Sequence, residues 1–366
     1  MLRPVARKLA GRARRVFFDA IGTGTLGGSE HFEAVVAHEA SFADPGPEAS
    51  EELARASCVV SVMNIPITWH AHDRGIPAVL IDGLGWMWRE PVGGAHRGGV
   101  HAKAPAPSLA RYFVERFVGV DEKMASWVDV LPPYEVVGPF IDVGDASWTP
   151  GGPLLVNVGG MDSWLMPEQA RRDYVSMVAR AVLKMTEDGA TPVQFAGGQR
   201  AMELVREEVA AAGREDCSAE PLEHDAFVEA LRGCLGFVTA AGMRALLEAF
   251  AVGVPVAFLP PQNVSQELVL HLLEDLSLAP GDASWRTVVG IPDVSGMSGP
   301  EGCAIVNGAV SATACDTGAV VILAERLARD LADMGVVPWR QEFVRSLGPN
   351  GAERVSEFVA EVARLG

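Results

Sequence analysis

Residues 236–273 read GFVTAAGMRALLEAFAVGVPVAFLPPQNVSQELVLHLL. The apolar run 236–239 stops at Thr239-Ala240-Ala241-Gly242, and a helical pattern starts at once with Met243. Gly242 permits the tight turn. The first N–H groups of a helix have no carbonyl to bond, and the positive end of its dipole lies behind them. This strand–turn–helix junction is therefore a natural seat for a diphosphate. The helix ends at Gly253, a second apolar run follows Pro255 at 256–259, and Pro260-Pro261-Gln262 leads out. Strand, helix and strand in that order build a parallel sheet covered by helices, which sets the fold class as α/β.

Glu248 is the odd residue of that helix. Its neighbours Ala245, Leu246, Leu247, Ala249, Phe250, Ala251 and Val252 are apolar, so the helix reads as buried almost all round. A carboxylate there needs donors or costs several kcal/mol. From Gly242 to Glu248 the helix rises ~9 Å, close to the reach from a diphosphate to its ribose. Two ribose hydroxyls would satisfy both oxygens, and so would an ion pair with Arg244 one turn earlier. Further on, Asn263-x-x-Gln266 ahead of an apolar run reads as a capping box. Asn263 is assigned to the cap, and Gln266 is left open between cap and ligand.

The same alternation extends outward in both directions. Strands are expected at 16–21, 58–62, 78–81 and 136–137, with helices at 29–40 and 50–56. The second half repeats the pattern, with strands at 154–158, 192–196, 236–239 and 256–259. Its helices are expected at 167–187, 200–212, 224–232, 243–252 and 266–276. Length alone suggests two domains, and residues 142–153, rich in Gly, Pro, Asp and Ser, have linker composition. We place the first domain at 14–145, the second at 152–335 and closing helices at 336–366. Residues 90–107 and 291–318 resist either pattern and read as long loops, either lids or disordered stretches.

A net charge of −17 argues against nucleic acid or an anionic membrane as the main partner. Arg3, Arg7, Lys8, Arg12, Arg14 and Arg15 form a short basic leader, read as a solvated extension. No apolar run reaches the ~18 residues of a membrane span, and the leader lacks the apolar core of a secretory signal. Five scattered cysteines, never spaced C-x-x-C, fit a reducing cytoplasm and build no zinc site. His70 and His72 flank a single residue with no further ligand at metal spacing, so no metal is expected.

Residues 236–273 resemble the nucleotide-binding motif of GT-B glycosyltransferases, especially the peptidoglycan N-acetylglucosaminyltransferase group (glycosyltransferase family 28) and its relatives. That pattern is a strand, an S/T-x-x-G turn, a helix carrying Glu, G-x-P, a strand, Pro and a polar loop with Gln. The resemblance implies two doubly wound Rossmann-like domains facing across a cleft. The first would bind the acceptor, the second the nucleotide-sugar, and the closing helices would return to the first domain. It implies that Gly242 and Met243 contact the diphosphate, Glu248 the ribose, and Gln262 and Gln266 the sugar hydroxyls, with Thr239 in the same nucleotide-sugar site. Residues 221–231 (PLEHDAFVEAL) resemble the segment that packs the base, which places His224 and Phe227 there. Residues 154–161 (LLVNVGGM) resemble the opening of the second domain, with Gly159 and Gly160 toward the donor. Two departures concern the nucleotide: Leu235 stands where an aspartate is common, and two alanines precede Gly242 where the family often has serine or arginine. The implied reaction is an inverting, metal-independent transfer from a UDP- or TDP-linked sugar to a small-molecule acceptor, with no cofactor.

In the first domain, Gly22-Thr23-Gly24-Thr25-Leu26-Gly27 satisfies G-x-G-x-x-G after a strand. It defines an alternative, an NAD(P)-dependent oxidoreductase, for which Asp44 stands at ribose-binding distance but on a poor strand. In the GT-B reading Gly22 and Gly24 belong to the nucleotide-sugar site. The family's catalytic histidine aligns with Ser29, and His31, two residues on, is the candidate base. Asp82, at the end of a strand, is a candidate to orient a base or touch the acceptor, or else a turn residue. Trp86 and Trp88 are given no role. A nucleotide-sugar hydrolase or epimerase on the same fold, and an inactive GT-B-like binding protein, stand beside the transferase as alternatives.

Overall fold

The computed structural model describes residues 1–19, 31–37, 46–87, 105–145, 147–161, 166–297, 299–333 and 335–365. The chain divides into two compact units, Met1–Asp142 with Arg345–Gly366, and Val143–Val344.

In the first unit the strands are β1 (Val16–Asp19), β2 (Ala34–Ala37), β3 (Val59–Val62), β4 (Ala78–Asp82), β5 (Leu109–Glu115) and β6 (Tyr134–Val137). β1 and β2 form a parallel pair, and β3-β4-β5-β6 a parallel sheet in that order. The central strand β4, AVLID, is buried along its whole length, as a strand covered on both faces must be. Helices α1 (Leu2–Lys8), α2 (Gly46–Arg55), α3 (Ile65–Asp73) and α4 (Val120–Ser126) belong to this unit. So does the last helix of the chain, 351–365, whose Val355 and Val359 pack with Val5, Leu9, Val79, Ile81 and Phe113.

The second unit has strands β7 (Leu154–Asn157), β8 (Val193–Ala196), β9 (Cys217–Glu220), β10 (Phe237–Thr239) and β11 (Val256–Phe258). All are parallel, in the order β11-β10-β7-β8-β9. The helices are α5 (Glu168–Met185), α6 (Gln199–Ala211), α7 (His224–Gly233), α8 (Met243–Val252), α9 (Val264–Asp275), α10 (Trp285–Val289), α11 (Gly299–Ala314) and α12 (Thr317–Ala332). α13 (Val337–Ser346) then leads to α14 (Gly351–Leu365). Each stop has a local cause. Gly253 ends α8 in a left-handed conformation, φ 83°, which a Cβ would strain. Asn263 starts α9 by accepting the Gln266 N–H at 3.1 Å, half of the expected capping box.

Strand β11 lies at the sheet edge, and two buried arginines cover it. Arg326 Nη2 donates to Phe258 O at 2.6 Å and Arg340 Nη1 to Val256 O at 3.2 Å. Arg340 also lies over the rings of Phe250 and Phe258, at 5.1 and 5.3 Å. The carbonyls an edge strand would otherwise offer to another chain are thus taken.

Several expectations are corrected. Residues 34–37 form strand β2 and not the middle of a helix; AVVA is a β-branched run short enough for either period. Residues 299–314, expected as loop, form α11, with Cys303, Val306 and Val310 buried at helical spacing. One of its glycines serves packing: a Cβ on Gly302 would meet Val264 of α9 at 2.6 Å. β5 and β9 carry no clean alternation and are absent from the sequence reading. The basic leader is not a solvated extension. α1 carries buried Arg3, Pro4, Val5 and Ala6. Its cations find acids: Arg7 pairs with Asp142, Lys8 with Glu353 (3.4 Å), Arg14 with Glu52 (2.8 Å) and Arg15 with Glu33 (2.6 Å). The contact with Arg15 holds the Glu33 carboxyl down at about 2. The segment 88–104, most of the other lid candidate, lies outside the described residues.

Candidate functional site

In the second unit β7 is the first strand in sequence and the middle one in space. The chain moves from it to β8 and β9 on one side, then returns to β10 and β11 on the other. Connections leaving β7 and β10 diverge, and this reversal opens a crevice at the carboxyl ends of those two strands. The loops 157–161 and 239–242 emerge there.

Asn157, the last residue of β7, ties the two loops together. Its Oδ1 accepts the Gly159 N–H at 2.9 Å, and its Nδ2 donates to Thr239 Oγ1 at 3.1 Å. Thr239 is buried and donates in turn to Ala240 O at 3.1 Å. A Cβ on Gly159 would stand 2.9 Å from Asn157 Oδ1. Gly160 has φ 81°, and its missing Cβ leaves room for Gln262 Oε1, which would lie 3.2 Å away.

Gln262 and Gln266 form a closed pair. The Gln262 N–H donates to Gln266 Oε1 at 2.8 Å, and Gln266 Nε2 donates to Gln262 Oε1 at 3.2 Å. Gln266 Nε2 would stand 3.5 Å from a Cβ on Gly242. The structure thus gathers Gly160, Gly242, Gln262 and Gln266 at one point of the strand edge, although they come from three separate loops and the first turn of α9. Buried side chains brace the exit loop behind them. The Tyr174 hydroxyl donates to Pro260 O at 2.7 Å and Trp285 Nε1 to Pro261 O at 2.6 Å. Burial raises the Tyr174 phenol well above its ordinary pKa, so it stays a donor.

Helix α8 starts at Gly242 with no side-chain cap. The first backbone bond back to its start is Leu246 N–H to Gly242 O, 3.1 Å, so the N–H groups of Met243, Arg244 and Ala245 precede the helical ladder. Two turns along, Glu248 is buried, at 1% exposure. Its Oε1 lies 2.8 Å from Nε2 of His224, the first residue of α7, which follows β9 at the same sheet edge. That hydrogen bond comes from His224 and not from Arg244. Phe227, also expected near the base, turns inward: its ring meets Phe237 edge-on at 5.8 Å, at the amino end of β10. It packs the helix onto the sheet.

The first-unit candidates fare differently. Gly22, Gly24, Ser29, Asp44 and Trp88 lie outside the described residues. His31 is buried and stands ahead of β2, at the amino edge where Arg15 O accepts the Glu33 N–H at 2.9 Å. The strand at 34–37 replaces the helix whose alignment made His31 a candidate base. Asp82 does end β4, but its carboxylate is engaged locally. Oδ1 accepts the Leu84 N–H at 2.7 Å and Oδ2 the Tyr112 hydroxyl at 2.5 Å. Trp86 is buried against Phe117, ring centroids 5.7 Å apart.

Three features escaped the sequence. Asn157 looked like the polar end of a strand. Met63, after β3, has φ 59°, a left-handed conformation costly for a side chain of this size. Its Sδ receives the Gly83 N–H at 3.2 Å. Glu115 ends β5 buried, with Oε1 accepting the Phe140 N–H at 2.9 Å. Asn157 and Met63 have no sequence signal beyond their place at or just after a strand end, and Glu115 has none, since β5 was not expected. An open groove of about 450 Å³ lies elsewhere, lined by Arg180, Lys184, Glu208 and Arg214 among others. Two of its cations are already paired, Lys184 with Glu187 and Arg214 with Asp216, and no strand end reaches it. Among the described residues no group of three or more His, Cys, Asp or Glu is placed to hold a metal ion.

No protein-family model matches the chain, and no curated protein matches it by sequence. Solved structures do. UGT89C1 of Arabidopsis thaliana complexed with UDP aligns at TM-score 0.56 and 12% identity, over 99% of this chain and 95% of that one. Os79 from O. sativa in complex with UDP aligns at TM-score 0.51 and 14% identity, over 99% and 96%. At these identities the likeness shows the fold: an α/β chain with parallel sheets, of the GT-B kind.

Proposed function

We propose that this chain is a glycosyltransferase, moving a sugar from a nucleoside-diphosphate donor, UDP- or TDP-linked, to a small-molecule acceptor. The observation that carries the reading is the cluster at the switch between β7 and β10. Two glycine turns, an uncapped helix start and a buried carboxylate two turns along that helix meet there. Structures of this fold that were solved with UDP support it. The peptidoglycan-type motif of residues 236–273 supports the finer assignment to that group.

In this reading the diphosphate sits on the N–H groups of Met243, Arg244 and Ala245. Charge that develops on it as the glycosidic bond breaks is met by donors already in place, so little reorganisation is needed during reaction. Gly160 and Gly242 let the backbone approach closely. The Gln262–Gln266 pair offers amide groups to the sugar hydroxyls, and Glu248 takes the ribose. We assign the acceptor to the first unit, where Asp82 ends β4, held by the Tyr112 hydroxyl, and the strained Met63 follows β3; transfer is taken to invert the anomeric centre. His31 is not retained as the base.

A thermal-shift screen of the full chain against UDP, TDP, GDP and NAD tests this. UDP or TDP should raise Tm by several degrees, since ligand at ~100 times Kd contributes about 2.7 kcal/mol. Glu248→Gln should reduce that shift without lowering the unliganded Tm. A shift with NAD alone would transfer the reading to an oxidoreductase, and no shift with any nucleotide would leave a binding protein.

A further inference from the structure

A carboxylate that meets a ribose can accept from both vicinal hydroxyls, one on each oxygen. In this chain one oxygen is already used. Glu248 Oε1 lies 2.8 Å from His224 Nε2, and of the little exposure the side chain keeps, 2%, part falls on Oε2, which is not among the buried unpartnered atoms. Nε2 carries a proton in the imidazolium and in one neutral tautomer, so the contact does not require a charged ring. Among the described residues Oε2 has no hydrogen-bond partner. His224 Nδ1 is buried and also without one. The pair therefore presents a single open carboxylate oxygen.

We propose that Glu248 holds one ribose hydroxyl and not two, and that His224 is the residue that sets this number. This rests on the donor reading of the site given above. The ligand class that follows is a nucleoside diphosphate whose pentose lacks one of its two hydroxyls, accepted alongside the ribose form. His224 is in this sense a specificity residue: it occupies one of the carboxylate's two oxygens and leaves the other to the ligand.

The test is calorimetric titration of the full chain with UDP, 2′-deoxy-UDP and 3′-deoxy-UDP. One deoxy analogue should bind within about threefold of UDP. The other should weaken on the order of tenfold or more, the loss of a hydrogen bond to a charged group. In His224→Ala, with Oε1 released, both analogues should weaken relative to UDP by that larger factor. His224→Gln, which keeps a donor toward Oε1, should restore the single-loss pattern. Equal weakening of both analogues in the unsubstituted chain would overturn the proposal, as would no weakening of either. Absence of UDP binding would be a different failure, that of the donor reading itself. Because the three-ligand comparison needs no variant, poor folding of His224→Ala would not blunt it.

Discussion

Asn157 shows how one side chain can set the shape of a site without being its chemistry. It spans the gap between two strand ends, with its oxygen on the Gly159 N–H and its amide on Thr239. Asn157→Ala would free both partners at a partly buried position. At about 1 kcal/mol for each bond, stability should fall by ~2 kcal/mol in urea denaturation. UDP affinity should drop in parallel, because the Gly159-Gly160 turn loses its tether. Unchanged affinity beside lowered stability would mean that the turn does not touch the donor. At this scale the sequence was partly legible. Glu248 stood out as an acid among apolar neighbours, and Gly242 as a turn residue before a helix. Its partner did not stand out, because the bond from His224 crosses from α7 to α8 and no local pattern encodes it. Asn157 was hidden for the same reason.

Elements were legible where their ends carry chemistry. α8 begins after Gly242 and ends at Gly253, as the residues require, and Asn263 opens α9. Elements lacking such marks were misread: α11 carries glycines inside it, and β9 lies at an edge with little burial. The packing of α12 against β11 could not be read at all, since it depends on long cations reaching strand carbonyls. There Arg326 and Asp330 lie 4.0 Å apart, and burial raises the Asp330 carboxyl to about 6, with Arg326 opposing. Burial likewise lowers Arg340 to about 10. A carboxyl whose folded pKa exceeds its unfolded value of ~3.9 stabilises the fold fully below that value. The contribution is lost as pH rises through about 6. Relative to Asp330→Asn, the unsubstituted chain should therefore lose roughly 2–3 kcal/mol between pH 4 and pH 7. Parallel stability curves for the two proteins across that range would show that Asp330 titrates normally.

For the molecule as a whole, alternation of apolar runs with helical stretches was enough to give two α/β units. The structure divides them at Asp142 and Val143, inside the stretch whose composition reads as linker. It could not show that the chain's first helix packs with its last, because α1 looks like a charged leader until Val5 and Leu9 are seen buried against Val355 and Val359. Net charge does not oppose a dianionic ligand here. The proposed seat works through backbone N–H groups and a helix dipole, which act within the first turn whatever the overall balance. The G-x-G-x-x-G sequence at 22–27 defines a rival nucleotide site, and the two readings make opposite demands on where a nucleotide lands. Residue-resolved amide hydrogen exchange with and without saturating UDP tests this directly. Slowed exchange is expected at Gly159, Gly160, Met243, Arg244 and Ala245. Protection confined to residues 22–27, or none at either place, would contradict the proposed seat.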